Sequence, residues 1–315
     1  MFKKMLFLNF QKDNLKPEYW RRIDKITKEK VLLKIDSPEL NKHLSTTDCL
    51  LLKLGMGVDK TLIDSMPNLK YIGMFGTGYG RIDAMSAQKK RVAVCNIAGY
   101  ATESVAEFVF AALLEHLREV TRAKTQAAHG EYSEASYAGT EIKGKTFGVI
   151  GLGRIGQRVA ELASQGFGAH VHYWSHKQKK DVEKGGVKYT EIDTLLKISD
   201  IISLHISYNP ETKGFLNAKR IATIKSGSII INTAPMELVD IQALEKRLKK
   251  NDITFILDHS DELDPAVAKR LSKFNNCILY PPIAYTTKEA TNLKQEIFVS
   301  NLENFLKGKP TNKVN

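Results

Sequence analysis

Short runs of β-branched and apolar residues alternate with stretches of helical period along nearly the whole chain. Lys4–Asn9, Val31–Ile35, Cys49–Leu54 and Leu69–Phe75 read as strands, with a shorter one at Val92–Cys95. Between them, Pro17–Lys28, Pro38–His43 and Asp59–Ser65 mix polar and apolar positions as surface helices do. Thr102–Ala123 then reads as one long helix of strong helix formers, apolar around much of its circumference, as expected of a helix buried between two bodies. After a polar stretch through Gly144 a second alternating series begins. Its strands are Thr146–Ile150, His170–Trp174, Ile201–His205, Ser228–Asn232, Thr254–Leu257 and Cys277–Leu279, and Glu289–Leu306 closes the chain as a helix. Strand–helix alternation of this kind predicts the α/β class, a doubly wound parallel sheet with helices on both faces.

Composition narrows the function classes. A length of 315 residues accommodates two domains, each with its own core. The longest apolar runs, such as Ile229–Ile231, are far too short to span a bilayer, which argues against a membrane protein. The start, Met1–Phe10, imitates a signal peptide only weakly, because no small-residue cleavage site follows, and a first strand is the better reading. Cys49, Cys95 and Cys277 are far apart and form no C-x-x-C pair, so neither a disulfide framework nor a zinc site is expected, and a cytoplasmic setting fits. The net charge of +12 raises the question of nucleic acid. The basic residues are scattered among acidic ones with no aromatic-interleaved run, so a solvated lysine-rich surface is the reading.

The most informative stretch is Gly151-Leu-Gly153-Arg154-Ile155-Gly156, which follows an apolar strand and opens a helical run. In that context the first glycine allows a tight turn, the second lets backbone N–H groups approach a pyrophosphate, and the third lets helix pack on strand. The helix N-terminus adds its positive dipole end. An acidic residue that would bind the ribose hydroxyls of NAD is expected near the end of the next strand. Ser175, His176 and Lys177 stand there instead, and the first carboxylate is Asp181. Those three side chains suit a ribose 2′-phosphate, which leans the expected cofactor from NAD toward NADP.

With these motifs in place the sequence resembles the D-isomer-specific 2-hydroxyacid dehydrogenases over nearly its full length. The resemblance rests on Gly76-Thr-Gly78-Tyr-Gly80, Asn96-Ile-Ala-Gly99 with Glu103-Ser-Val-Ala-Glu107, Ile202-Ser-Leu-His205, Pro210-Glu-Thr212-Lys-Gly214, Gly227–Ala234 with Leu238-Val-Asp240, and Asn304–Pro310. It implies two Rossmann-like doubly wound domains with a cleft between them that takes a small-molecule ligand. Residues 1–98 plus 289–315 would form a substrate domain, and residues 99–288 the dinucleotide-binding domain. It implies a homodimer through the dinucleotide-binding domain. It also implies cofactor contacts from Thr102, His205, Thr212, Thr233, Ala234 and Asp258, beside Gly151–Gly156 and Ser175–Lys177. Substrate contacts would come from Lys53, Thr77, Gly78 and Tyr79.

The resemblance fails where the chemistry is. The family's hydride transfer uses an Arg that orients the 2-oxo acid, a His that exchanges the hydroxyl proton, and a carboxylate that holds the His. Pro235 stands at the Arg position, followed by Met236, and no Arg occurs from Ile221 to Lys246. Pro282 stands at the His position, and no His follows His259. Asp261, Glu262 and Asp264 compete for the carboxylate position. Losing a general acid alone costs ~10²–10⁴ in rate. The expectation is therefore a homologue that binds NAD(P)(H), or another adenosine-containing cofactor, with ordinary dehydrogenase activity lost or altered. Two alternatives stand beside it. One is a working oxidoreductase with a different proton donor, for which His259 and Tyr285 are the weak candidates; the other is a corepressor-like binding protein.

Overall fold

The computed structural model describes residues 1–53 and 55–315. The chain forms two compact units, Met1–Tyr100 with Thr287–Asn315, and Ala101–Thr286.

The first unit is built on a five-stranded parallel sheet of β1 (Phe2–Leu8), β2 (Thr27–Leu33), β3 (Cys49–Lys53), β4 (Tyr71–Phe75) and β5 (Ala93–Cys95), ordered β2-β1-β3-β4-β5. The strand expected to reach Leu54 is seen to Lys53, and Leu54 lies outside the described residues. The helix expected over Pro17–Lys28 ends at Asp24, and β2 begins at Thr27, earlier than Val31. The reason is position: β2 is an edge strand whose Lys28, Glu29 and Lys30 are exposed, so it lacks the apolar pattern that marks an inner strand.

The closing helix, Lys288–Leu306, packs against this sheet through rings. Phe298 lies 4.9 Å from Phe75 and 5.8 Å from Phe10, and Phe305 lies 5.0 Å from Tyr71 and 5.7 Å from Phe2, centroid to centroid. Gly73 makes room for side chains of its own sheet: a Cβ there would meet Leu51 at 2.7 Å and Tyr71 at 2.9 Å, whereas Phe298, at 3.6 Å, would be in ordinary contact. The tail beyond the helix runs antiparallel along β5, with Val314 N–H donating to Val94 O at 2.9 Å and the Asn315 side chain bonding both Val94 N–H and Val92 O.

The second unit is built on a seven-stranded parallel sheet. Its strands are β6 (Thr146–Ile150), β7 (His170–Trp174), β8 (Lys188–Tyr189), β9 (Ile201–Leu204), β10 (Ser228–Asn232), β11 (Ile253–Leu257) and β12 (Cys277–Leu279), ordered β12-β11-β10-β9-β6-β7-β8. β9 and β10 are buried at every position, as central parallel strands covered on both faces must be. The single helix expected over Thr102–Ala123 is two. Thr102–Arg118 ends at Glu119, whose φ of 49° is left-handed, and Val120–Ala128 follows. The break falls beyond Leu113, the last fully buried position of the first helix, and after Leu117, which is partly buried against the core. Among the described residues no helix is long and apolar enough to cross a membrane.

Candidate active site

The glycine turn sits where the sheet of the second unit changes direction. From β6 the chain adds β7 and β8 on one side and then returns to place β9 on the other. Ligands of open parallel sheets bind beyond the strand ends at such a point. Gly151 has φ of 97°, and a Cβ there would lie 2.7 Å from the His205 carbonyl. At Gly156 a Cβ would lie 2.0 Å from Gly151 O. These two glycines are required by the protein's own close packing. Gly153 differs: nothing lies within 4 Å of the place its Cβ would occupy. That open space is what a ligand's phosphates need, and Gly153 N-caps the helix Arg154–Glu161 with Arg154 exposed and Ile155 half-buried.

At the end of β7, Ser175 Oγ donates to Lys177 O at 2.7 Å, while the side chains of His176 and Lys177 are exposed. Nearby carboxylates are engaged elsewhere: Asp181 pairs with Lys184, and Glu183 accepts from Tyr173 Oη and Gln178. Lys179, which the sequence reading missed, donates its Nζ to Leu152 O within the glycine turn at 2.5 Å. Its only signal in the sequence was a further lysine just beyond the strand end.

Across the turn, His205 ends the strip begun by β9, with its Nε2 2.8 Å from Ser203 Oγ. Burial pushes this imidazole down to about 3, so it is neutral at neutral pH. Thr212 is buried and its hydroxyl is spent inside its own loop, accepting from Asn209 N–H at 2.8 Å and donating to Ser207 O at 2.9 Å. Thr233 is half-buried and Ala234 buried; the Asn232 side chain accepts the Ala234 N–H at 2.9 Å and fixes the turn that leads into Pro235. Thr102 opens the long helix of this unit.

The ends of β11 and β12 bring a titratable cluster together. Asp258 is buried, and its Oδ1 accepts from Ile283 and Ala284 N–H at 3.0 and 3.3 Å, holding the segment that contains Pro282. Its Oδ2 is buried without a hydrogen bond among the described residues and lies 3.4 Å from His259 Nε2. Burial pushes this carboxyl above the usual range, opposed by the His259 charge and the two amides. The three candidate acids have separate places. Asp264 caps the helix Pro265–Leu271, Asp261 is exposed with Oδ1 4.0 Å from His259 Nδ1, and Glu262 turns back to accept the Met236 N–H at 3.4 Å. Tyr285 stacks on His259 at 5.8 Å. Burial, then the charges of Asp261, Asp258 and Glu262, push its phenol up, which makes it a poorer proton donor.

In the first unit, Lys53 ends β3, and the loop of Thr77, Gly78 and Tyr79 follows β4 with all three exposed. Thr77 Oγ1 donates to Ile97 O at 2.9 Å, and Asn96 Nδ2 donates to Thr77 O at 2.7 Å, so the loop is pinned from behind. A surface pocket of about 720 Å³ elsewhere in this unit, lined by Leu15, Pro17, Trp20 and Leu32, contains none of these residues.

Residues 110–284 match the NAD-binding domain of the D-isomer-specific 2-hydroxyacid dehydrogenases. The chain belongs to this family. Among curated proteins it is similar to glyoxylate reductase of Thermococcus litoralis, 37% identical over 82% of this chain and 80% of the relative. Hydroxypyruvate reductase of Blautia hydrogenotrophica is 34% identical over 81% of each. Among solved structures, an acyclic imino acid reductase in complex with NADPH and D-Arg superposes with a TM-score of 0.86 at 30% identity, covering 99% of this chain and 100% of that one. D-lactate dehydrogenase from Aquifex aeolicus, complexed with NAD and lactic acid, gives a TM-score of 0.86 at 28% identity over 97% and 96%.

Two features of this dehydrogenase-family domain fit a nicotinamide dinucleotide. The open space over Gly153 leaves room for a pyrophosphate, and Asp258 Oδ2, buried without a hydrogen bond, would accept one from a carboxamide N–H. A nicotinamide held there would supply a hydride. Beside Asp258 the protein places one imidazole, His259, flanked also by Asp261, with Pro235 and Pro282 at the positions where the family resemblance implies Arg and His.

Proposed function

We propose that this protein is a nicotinamide-dependent reductase in which ordinary 2-oxo acid reduction is lost or much reduced, and that its acceptor is an iminium formed from a 2-oxo acid. The observation that carries the reading is the pair of prolines at positions 235 and 282. When hydride adds to a ketone, the C–H bond forms, the C=O π pair moves to oxygen, and the resulting alkoxide needs a proton. When hydride adds to an iminium, the π pair becomes the nitrogen lone pair and the amine is complete. An iminium therefore dispenses with the general acid and with polarisation of the acceptor, while its carboxylate is left for other groups to orient. The imino acid reductase that this chain superposes on, complexed with NADPH, supports the same chemistry. Ser175, His176 and Lys177, joined by Lys179 on the glycine turn, favour NADPH over NADH in this reading.

A second reading is favoured by the cluster at β11: His259, held beside Asp258, donates the proton and conventional reduction persists. One assay separates them. NADPH and NADH oxidation is followed with small 2-oxo acids alone and with added ammonia or methylamine. Turnover that requires the amine supports the iminium reading. Turnover with the oxo acid alone, lost in His259→Gln, supports the second, and tight cofactor binding with no turnover leaves a cofactor-binding homologue without either reaction. The reading includes a homodimer through the second unit, where Val120 and Tyr132 are 52% and 81% exposed; sedimentation at two concentrations tests it.

A further inference from the structure

The segment that leaves β7 carries more positive charge than its neighbours neutralise. Lys177, Lys179 and Lys180 follow one another closely, and among the described residues none of them is ion-paired with a carboxylate. The segment is nonetheless fixed. Ser175 Oγ donates to Lys177 O at 2.7 Å, the rings of His176 and Trp174 lie 5.2 Å apart, and Lys179 Nζ donates to Leu152 O in the glycine turn. Tyr173, the buried residue near the end of β7, ties the rest together with one hydroxyl. It donates to Glu183 Oε1 at 2.7 Å and accepts the Lys179 N–H at 2.8 Å. Gln178 Nε2 donates to both Glu183 oxygens, at 2.9 and 3.2 Å. Strand, segment and the short helix Lys180–Glu183 are thus joined at a single tyrosine oxygen.

We propose that Tyr173 and Glu183 are positioning residues for recognition of a ribose 2′-phosphate, a clasp that fixes the lysine-bearing segment and keeps the Glu183 carboxylate occupied. The proposal rests on the NADPH preference read above from Ser175–Lys179, and not on which acceptor is reduced. A carboxylate near the end of this strand serves NAD, because it binds the ribose hydroxyls, and the same charge repels a 2′-phosphate. Glu183 is the acid that the short helix brings back to Tyr173. Its oxygens are taken up by Gln178 and Tyr173, whose hydrogen bonds, in that order, hold its carboxyl below the usual range. A tyrosine hydroxyl is both donor and acceptor, so one group restrains the acid and pins the Lys179 backbone together. A phenylalanine there would release both at once. Holding the segment in one shape before the ligand arrives removes an ordering cost from binding.

The test is calorimetric binding of adenosine 2′,5′-bisphosphate and of adenosine 5′-monophosphate to the whole protein. Wild type is compared with Tyr173→Phe, Glu183→Ala and Glu183→Gln. Wild type should prefer the bisphosphate by about tenfold or more, the gain expected of charge-assisted bonds to a phosphate. In Tyr173→Phe and Glu183→Ala that preference should fall to about threefold or less, while affinity for the monophosphate changes little. Glu183→Gln loses the charge but still accepts from Tyr173, so it should keep the preference. Glu183 is only half-buried, so its two variants carry the test should Tyr173→Phe fail to fold. A wild-type preference that persists in Tyr173→Phe and Glu183→Ala overturns the clasp and leaves the NADPH reading intact. Equal loss in Glu183→Gln overturns the clasp as well, because the bond to Tyr173 survives there. A wild type that does not discriminate overturns the NADPH reading and the clasp with it. Discrimination that the variants lose, in a protein that reduces neither oxo acid nor iminium, supports the clasp and overturns the reductase reading.

Discussion

A methyl group added at Gly156 would overlap Gly151 O, whereas one added at Gly153 would enter empty space. Gly156→Ala should therefore destabilise the second unit by about 1–3 kcal/mol or more, as overpacking does. Gly153→Ala should keep the melting temperature and weaken nicotinamide affinity about tenfold or more, ~1.4 kcal/mol. Calorimetric binding and thermal melts on the two variants check both statements. His205 makes a pH prediction. Its folded value of about 3 lies below the unfolded 6.5, so the unfolded chain binds the proton first as pH falls. Stability is thus intact above 6.5 and declines toward 3, by up to ~1.4 kcal/mol per pH unit. His205→Gln should flatten that part of a urea-melt series across pH. At this scale the sequence was legible where chemistry depends on a residue type, as at Gly151–Gly156. It was silent on Lys179, whose contact with the Leu152 carbonyl joins residues 27 apart in sequence. It was also ambiguous among Asp261, Glu262 and Asp264, which only backbone direction separates.

Among the elements, the helix Pro17–Asp24 is fastened to the closing helix by one side chain. Arg22 forks onto Glu303 through Nε and Nη2, both at 2.9 Å, and reaches Glu296 through Nη1 at 2.7 Å. Hydrogen bonds from Arg22 hold both carboxyls below the usual range. Arg22→Ala should cost about 1–2 kcal/mol, since the fork is bidentate but partly exposed. Arg22→Lys should recover less than half, because an ammonium cannot reproduce the fork. Chemical denaturation near pH 7 reads this, and the difference from wild type should shrink as pH falls through the lowered carboxylate values and the pairs are lost. The inner strands were legible at this scale because Ile229–Ile231 and Ile201–Ile202 are apolar on both faces. The charged edge strand β2 and the two-residue β8 were not, since pairing rather than composition makes them strands.

For the molecule as a whole, two units built from three stretches of chain mean that ligand linkage should be local. NADPH should slow amide exchange at Gly151–Gly156 and the ends of β6 and β9 while leaving β1–β5 unchanged; protection spread evenly over both units would contradict the placement of the cofactor site. At 100 times its dissociation constant the cofactor should stabilise the unit that binds it by ~2.7 kcal/mol. Strand–helix alternation made the class of both units legible, and the family resemblance supplied what pattern alone does not, that the chain's last helix belongs with its first sheet. That pairing follows from Phe298 and Phe305 against Phe10, Phe75, Phe2 and Tyr71, contacts spanning more than two hundred residues of sequence.

The same aromatic contacts set a timetable for synthesis. As the polypeptide leaves the ribosome, β1–β5 emerge before the closing helix, and the rings of Phe2, Phe10, Tyr71 and Phe75 lack the cover of Phe298 and Phe305 until that helix arrives. At ~5–20 residues per second the wait is roughly 10–40 s. The continuous Ala101–Thr286 segment needs no such delay and is able to complete its sheet within that interval. Substitutions that loosen the Lys288–Leu306 helix should therefore lower the yield of folded protein more than they lower the stability of the finished fold.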